Sequence, residues 1–133
     1  MRRTLTSVRV RYPEVDRMGV AHHTHYFIWF ELGRTELLRE LGCTYGEMEA
    51  QGVFMPVVEA SCRYRSPVRY DEVLEIETEL EEISASRVAF RYRLRRQGTD
   101  RPLADGGTVH ATVNREGEVI RLPVEYRELL SRP

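Results

Sequence analysis

The sequence predicts an α+β fold, an antiparallel five-stranded sheet curled around one long central helix. Three observations point there. One segment, 24–41, carries apolar residues at helical steps. Most of the remainder alternates apolar and polar residues in short strand-like runs. Two consecutive runs carry opposite charges on their polar faces, so they are expected to pair. A sheet with one wet face and one apolar face needs a cover, and the 24–41 helix is the only segment large enough to supply it.

The elements follow in order. Residues 5–11 (LTSVRVR) place Val8 and Val10 between polar neighbours and read as a short strand. In the helix, Tyr26, Phe30, Gly33, Leu37 and Leu41 recur at steps of four and three along one face. Phe27, Trp29, Leu32 and Leu38 widen the apolar arc, which implies deep burial of its first half, and Gly42 suits its C-terminal cap. Thr44 and Glu47 have capping-box spacing and open a short helix that ends at Gly52. Residues 53–65 read as a long strand, and Pro67 to Glu72 as a turn. Residues 73–83 set Leu74, Ile76, Thr78 and Leu80 against Glu75, Glu77, Glu79 and Glu81. Residues 87–95 answer with Val88, Phe90, Tyr92 and Leu94 against Arg87, Arg91, Arg93 and Arg95. A three-residue loop at 84–86 pairs 83 with 87 and puts Glu79, Glu77 and Glu75 opposite Arg91, Arg93 and Arg95. Another strand follows at about 103–115. Glu116-Gly117 turns the chain into a last strand piece, and Pro123 leads a short terminal helix. The strands after the helix are read as joined by hairpins.

At 133 residues, 41% hydrophobic, the chain suits a single domain spanning 1–133. A net charge of −1 argues against a general nucleic-acid or membrane-surface binder. No apolar run approaches the roughly 18 residues of a membrane span, and the start MRRTLTSVRVRY lacks the apolar core of a signal peptide. Cys43 and Cys62 stand apart, with no CxxC, as reduced thiols of a cytoplasmic protein do. One helix cannot cover every edge of such a sheet, so a homodimer joined edge to edge is expected, alone or as a dimer-of-dimers tetramer.

The connection Tyr12 to His23 leads from the first strand into the buried start of the helix. A helix N-terminus presents unpaired backbone N–H groups and the positive end of the macrodipole, a ready place for an oxyanion. Gly19 can take the backbone turns of a close approach, and Asp16, the only aspartate in the first seventy residues, stands just before it. An aspartate in a loop also commonly caps its own turn. His22, His23 and His25 scatter around a helix axis at i, i+1 and i+3, so no metal site is expected.

The spacing Asp16-x-x-Gly19-Val20-x-x-His23-x-x-Tyr26 resembles the signature of the 4-hydroxybenzoyl-CoA thioesterase family, small hotdog-fold acyl-CoA thioesterases. The helix YFIWFELGRTELLRELG, the segment YRSPVRYDEVLEIET and the ending GEVIRLPVEYRELL are similar to the family too, so the resemblance covers nearly the whole chain. It implies thioester hydrolysis without metal or cofactor, and an acyl-CoA substrate. Asp16 then matches the catalytic carboxylate, as nucleophile or as general base for water. The backbone N–H of His23 matches the group that polarises the thioester carbonyl. Histidine at this position resembles the Tol–Pal-associated branch. Val20 falls within the motif as a pocket residue and Tyr26 as a pocket or packing residue, and Arg65, Ser66 and Pro67 lie in the matched strand-turn segment. Arg63, Arg65 and Arg69 are candidate partners for the phosphates of CoA. Glu59, in MPVVEAS, is a rival carboxylate, since some hotdog enzymes carry their base elsewhere. Hotdog hydratases and dehydratases use an Asp-x4-His dyad, against which Ala21 at that place argues, or a His–Glu pair. They and a non-catalytic acyl-CoA-binding module are the alternatives.

Overall fold

The computed structural model describes residues 2–132. Strand β1 (Arg3–Arg9) leads through a 3-10 turn (Tyr12–Glu14) into helix α1 (His25–Glu40) and short helix α2 (Tyr45–Ala50). Strands β2 (Val57–Tyr64), β3 (Val73–Ile83), β4 (Arg87–Arg96) and β5 (Pro102–Ala111) follow, then helix α3 (Val124–Leu130). The strands form one antiparallel sheet in the order β1-β3-β4-β5-β2, wrapped on α1 as a hotdog fold.

The predicted boundaries need four corrections. β1 ends before Val10, because Val10 bonds with the 71–72 turn: its N–H donates to the Glu72 carbonyl (2.9 Å) and its carbonyl accepts from Asp71 (3.0 Å). The 53–65 strand starts only at Val57, after Pro56, which has no N–H to give a ladder. β5 stops at Ala111, and the expected last strand piece is reduced to single bridges, Phe54 to Val113 and Val113 to Val119. Hairpins join β3 to β4 and β4 to β5, but β2 lies at one edge and β3 pairs with β1 at the other side. The 65–72 segment therefore crosses the sheet. Alternation tells which face of a strand is apolar; it does not name the neighbouring strand.

The Glu–Arg register matches the charge pattern, with Glu75, Glu77 and Glu79 opposite Arg95, Arg93 and Arg91. The loop closes differently. Ile83 pairs with Val88 rather than Arg87, and a bulge between Leu80 and Glu82 takes up the offset. Some ion pairs also run off the straight rungs, Arg91 to Glu81 at 2.8 Å and Arg95 to Glu77 at 3.8 Å, while Glu79 meets Arg3 directly across β1 at 3.2 Å. Long side chains reach their diagonal neighbours as easily as the opposite one.

Helix α1 divides the core. Tyr26 and Trp29 pack with Val10, Val68, Leu74, Ile76 and Leu94, while Phe30, Leu37 and Leu38 pack with Leu80, Phe90 and Tyr92 and with Tyr126 and Leu130 of α3. Leu32 departs from expectation and is exposed, as is Ile28 one turn before it. Between the two halves, Gly33 lets the helix touch β3. A Cβ there would stand 2.2 Å from Thr78 Oγ1 and 2.9 Å from Ile76 Cγ2. The next residue, Arg34, is buried among hydroxyls, donating through Nε to Tyr45 Oη (2.8 Å) and through Nη1 to Tyr92 Oη (3.2 Å). Among the described residues, no helix is long and apolar enough to cross a membrane.

Candidate active site

The 10–23 connection is anchored twice. The first anchor is Glu14, two residues before Asp16. It is 2% exposed. Its Oε2 accepts from Trp29 Nε1 (3.1 Å), its Oε1 accepts from the Arg11 N–H (2.6 Å), and its carbonyl accepts from the His22 N–H (3.0 Å). A buried carboxylate left without donors is costly, so these bonds hold the loop against the first half of α1. The only sequence signal for it was a glutamate placed just after a proline and before the motif.

The second anchor is the 67–72 turn. Val20 forms a bridge with Arg69, the Ala21 N–H donates to the Val68 carbonyl (2.7 Å), and the Tyr70 N–H donates to the Gly19 carbonyl (3.0 Å). The turn itself is tied down by Glu72. Burial disfavours ionisation of Glu72, but its bonds to Arg96 and to the Arg69 N–H outweigh this and hold the carboxyl below its usual range. Residues 16–20 make a tight turn: the Gly19 N–H donates to the Asp16 carbonyl and the Asp16 N–H to the Val20 carbonyl, both at 3.0 Å. Gly19 sits at φ 75°, where a Cβ is disfavoured.

Asp16 is exposed, and Oδ1 accepts from the Met18 N–H (2.8 Å) and the Val20 N–H (3.3 Å). One oxygen thus caps its own turn. No hydrogen bond engages Oδ2 among the described residues.

The structure gathers most of the predicted binding residues. Val20, His23, Tyr26, Arg65, Ser66 and Pro67 line one cavity of about 280 Å³, together with Ala21 and Tyr64. Asp16 and Gly19 are not in its wall; they stand across the 16–20 turn, joined to Val20 by the bonds above. Glu59 is not there either. It lies five residues before Tyr64 on β2, roughly 16 Å along the strand and on the opposite face, and borders a separate hollow of about 880 Å³ over β2, β5 and β4. Arg65 reaches both hollows and is paired with Asp105.

Tyr64 was not singled out from the sequence. Its Oη donates to the His23 carbonyl (3.1 Å), and its ring meets Tyr26 edge-on with centroids 4.7 Å apart. Nothing in the local sequence announces a contact across 41 residues. Burial pushes the Tyr26 phenol up, the neighbouring Cys62 adds to this, and the Val68 backbone opposes it, so Tyr26 stays protonated in the neutral range.

The helix start is open. Thr24 makes no side-chain cap, and the Tyr26 N–H reaches the His23 carbonyl only at 3.4 Å. The His23 N–H has no acceptor among the described residues. The three imidazoles do not converge: His22 Nδ1 bonds Thr24 Oγ1 (2.8 Å), His23 lines the cavity, and His25 Nδ1 is buried without a partner in the described structure. What the site offers is an amide with no acceptor among the described residues at the positive end of a helix, beside an aromatic-walled cavity, with the Asp16 carboxylate on the adjoining 16–20 turn. Such donors stabilise charge developing on a carbonyl oxygen.

Comparison with known proteins gives a consistent picture. The family model for the thioesterase-like superfamily matches residues 10–130. YneP of Bacillus subtilis (strain 168) is 37% identical over 87 residues, 65% of this chain and 63% of YneP. The acyl-CoA thioester hydrolase YbgC of Escherichia coli O157:H7 is 33% identical over 87 residues, 65% of each chain. The matches thus span just under two thirds of these two curated relatives. The crystal structure of DHNA-CoA thioesterase from Staphylococcus aureus superposes with a TM-score of 0.92 at 29% identity, covering 98% of this chain and 90% of that one.

Proposed function

The chain belongs to the thioesterase-like superfamily, and on that footing we propose that it is an acyl-CoA thioesterase, hydrolysing a thioester to free acid and CoA. One observation carries the reading: an N–H without an acceptor among the described residues, on His23 at the open start of α1, lies beside a cavity that also holds Val20, Tyr26, Arg65, Ser66 and Pro67. The names of YbgC and of the Staphylococcus aureus enzyme support the same activity. Within the superfamily, histidine at position 23 supports the Tol–Pal-associated branch of the 4-hydroxybenzoyl-CoA thioesterase family.

In the mechanism, the thioester carbonyl oxygen accepts from the His23 N–H, aided by the helix dipole. Asp16 supplies the carboxylate. As general base it takes a proton from water, whose oxygen attacks the carbonyl carbon. As nucleophile it attacks directly, forming a mixed anhydride that water then opens. In both routes the C–S bond breaks, the CoA thiolate leaves and takes up a proton, and the acyl group departs as the carboxylic acid. A thioester has weak resonance and a good leaving group, so one carboxylate and one oxyanion donor suffice.

The active species is a homodimer or a dimer of such dimers, built from a single domain over 1–133. Support comes from β2, an edge strand exposed along most of its length, and from Ile28, Leu32, Val57 and Val58, between 42 and 47% exposed. The free thiols Cys43 and Cys62 support a cytoplasmic setting.

One observation favours a second reading, a non-catalytic acyl-CoA-binding module: Asp16 is exposed and already caps its own turn. A thiol-release assay over a panel of acyl-CoA and acyl-carrier-protein thioesters separates the two. Asp16→Asn is expected to lower kcat roughly 100- to 10,000-fold, and Glu59→Gln to leave it within about twofold, since uncoupled surface changes have small effects. Hydrolysis undiminished in Asp16→Asn sinks the assignment of Asp16. Acyl-CoA binding with no turnover by the wild type selects the binding module.

A further inference from the structure

We infer that Tyr64 is a positioning residue for the oxyanion donor: its hydroxyl, reaching from the end of the edge strand β2, fixes the His23 peptide at the start of α1 and so aims the His23 N–H at the substrate carbonyl. The inference rests on the thioesterase reading above.

Three observations carry it. The Tyr64 Oη–H donates to the His23 carbonyl at 3.1 Å, across 41 residues of sequence. The helix itself holds that carbonyl weakly, since the Tyr26 N–H approaches it only at 3.4 Å and Thr24 adds no side-chain cap. The Tyr64 ring stands edge-on to both Tyr26 (4.7 Å between centroids) and His23 (6.2 Å), and it lines the same cavity as the His23 backbone. An unanchored first turn can fray, and fraying changes the direction of its free N–H groups. An oxyanion donor contributes to the rate only if it is aimed before the charge develops. A bond from outside the helix to the residue that carries the donor removes that freedom.

The bland alternative is that Tyr64 merely covers the helix end. Its side chain is a poor cover, because 45% of the residue remains exposed. Its hydroxyl is spent on a backbone acceptor that solvent could otherwise satisfy. Packing alone would be served equally well by phenylalanine, and that difference makes the two roles separable.

The test uses the full chain and Tyr64→Phe, which keeps the ring and removes the hydroxyl. With an acyl-CoA that the wild type hydrolyses, kcat should fall about five- to tenfold, the range one neutral hydrogen bond supports. KM should stay within about twofold, because the donor it aims acts in the transition state, and the melting temperature should fall by only a few degrees, the cost of one neutral hydrogen bond, leaving the variant folded at the assay temperature. A second readout reports the carbonyl directly. In Asp16→Asn, where turnover is slow, the infrared C=O band of a bound, carbonyl-labelled acyl-CoA should shift to lower frequency on binding. Adding Tyr64→Phe should shrink that shift. An unchanged kcat, an unchanged carbonyl band, or a loss of kcat that matches the fraction unfolded at the assay temperature overturns the inference while leaving the thioesterase reading standing. A wild type that hydrolyses no thioester on the panel overturns both.

Discussion

Acidification through the titration of His110 has an effect whose size follows from the buried polar chain around it. His110 is fully buried on β5. Its Nδ1 lies 3.0 Å from the Met55 carbonyl, which can only accept, so Nδ1 carries the proton. Nε2, 2.9 Å from Thr108 Oγ1, then accepts from that hydroxyl. Thr108 accepts from Tyr92 (2.6 Å), whose oxygen accepts from Arg34 Nη1 (3.2 Å). Each proton has one destination. Charging the imidazole reverses the Thr108 bond, leaves one of the Thr108 and Tyr92 hydroxyl protons without an acceptor, and sets a second cation near Arg34. Burial pushes the imidazole down from 6.5 to about 4; the Met55 carbonyl opposes this and the Arg34 charge adds to it. Between these two values the unfolded chain binds a proton that the native state does not, so stability rises with pH. The contribution is complete above the unfolded value and is lost as pH falls toward the folded one. At about 1.4 kcal/mol per unit, the loss totals about 3 kcal/mol. The assay is urea unfolding at fixed protein concentration, followed by Trp29 fluorescence, on wild type and His110→Gln. The glutamine amide can still donate to Met55 and accept from Thr108 but does not titrate. The stability difference between the two proteins should change by about 3 kcal/mol across the window. Equal pH slopes in the two proteins, or a His110 titration by NMR near the ordinary histidine value, would refute the reasoning.

Two further perturbations follow from close contacts. Gly33→Ala adds a methyl 2.2 Å from Thr78 Oγ1, and the resulting strain of about 1–3 kcal/mol should exceed the helix-propensity gain of about 1 kcal/mol. Urea midpoints should fall, and a stabilised variant would show that α1 does not ride on β3 as closely as described. Glu14→Ala strands the Trp29 and Arg11 donors and should cost about 2 kcal/mol, together with a fall in kcat as the loop carrying Asp16 loosens. Glu14→Gln, which can still accept from Trp29, should recover most of the melting temperature, and a melting temperature equal to that of Glu14→Ala would contradict the tether.

Much of the fold was legible because burial writes a period into the chain. Alternation marked β3 and β4 to the residue or nearly so, and the opposed glutamates and arginines gave their register. The helical steps found α1, including Gly33 on its buried face. The bulge at residues 80–82 was not legible, since an extra residue in a charged run leaves the pattern intact. Nor was the exposure of Leu32: an apolar side chain on the flank of a helix looks the same whether it meets a sheet or open surface. In the candidate site, Val20, His23, Tyr26, Arg65, Ser66 and Pro67 were picked from two distant segments by motif and meet in one cavity. Glu59, picked for its strand position after a proline and because some hotdog enzymes carry their base elsewhere, borders a separate hollow.

The sequence by itself determined the local choices: which segments are helix or strand, which faces turn inward, and which two strands pair by charge. Each depends on chemistry within a few residues or on a pattern repeated along one element. Only the tertiary structure decided the strand order, the burial of Glu14 beneath Trp29, the hydroxyl chain from Arg34 to His110, and the reach of Tyr64 to His23. Those contacts join residues far apart in the chain. A lone tyrosine or glutamate carries no local mark of the partner it will meet, because that partner is supplied by the packing of the whole sheet around α1.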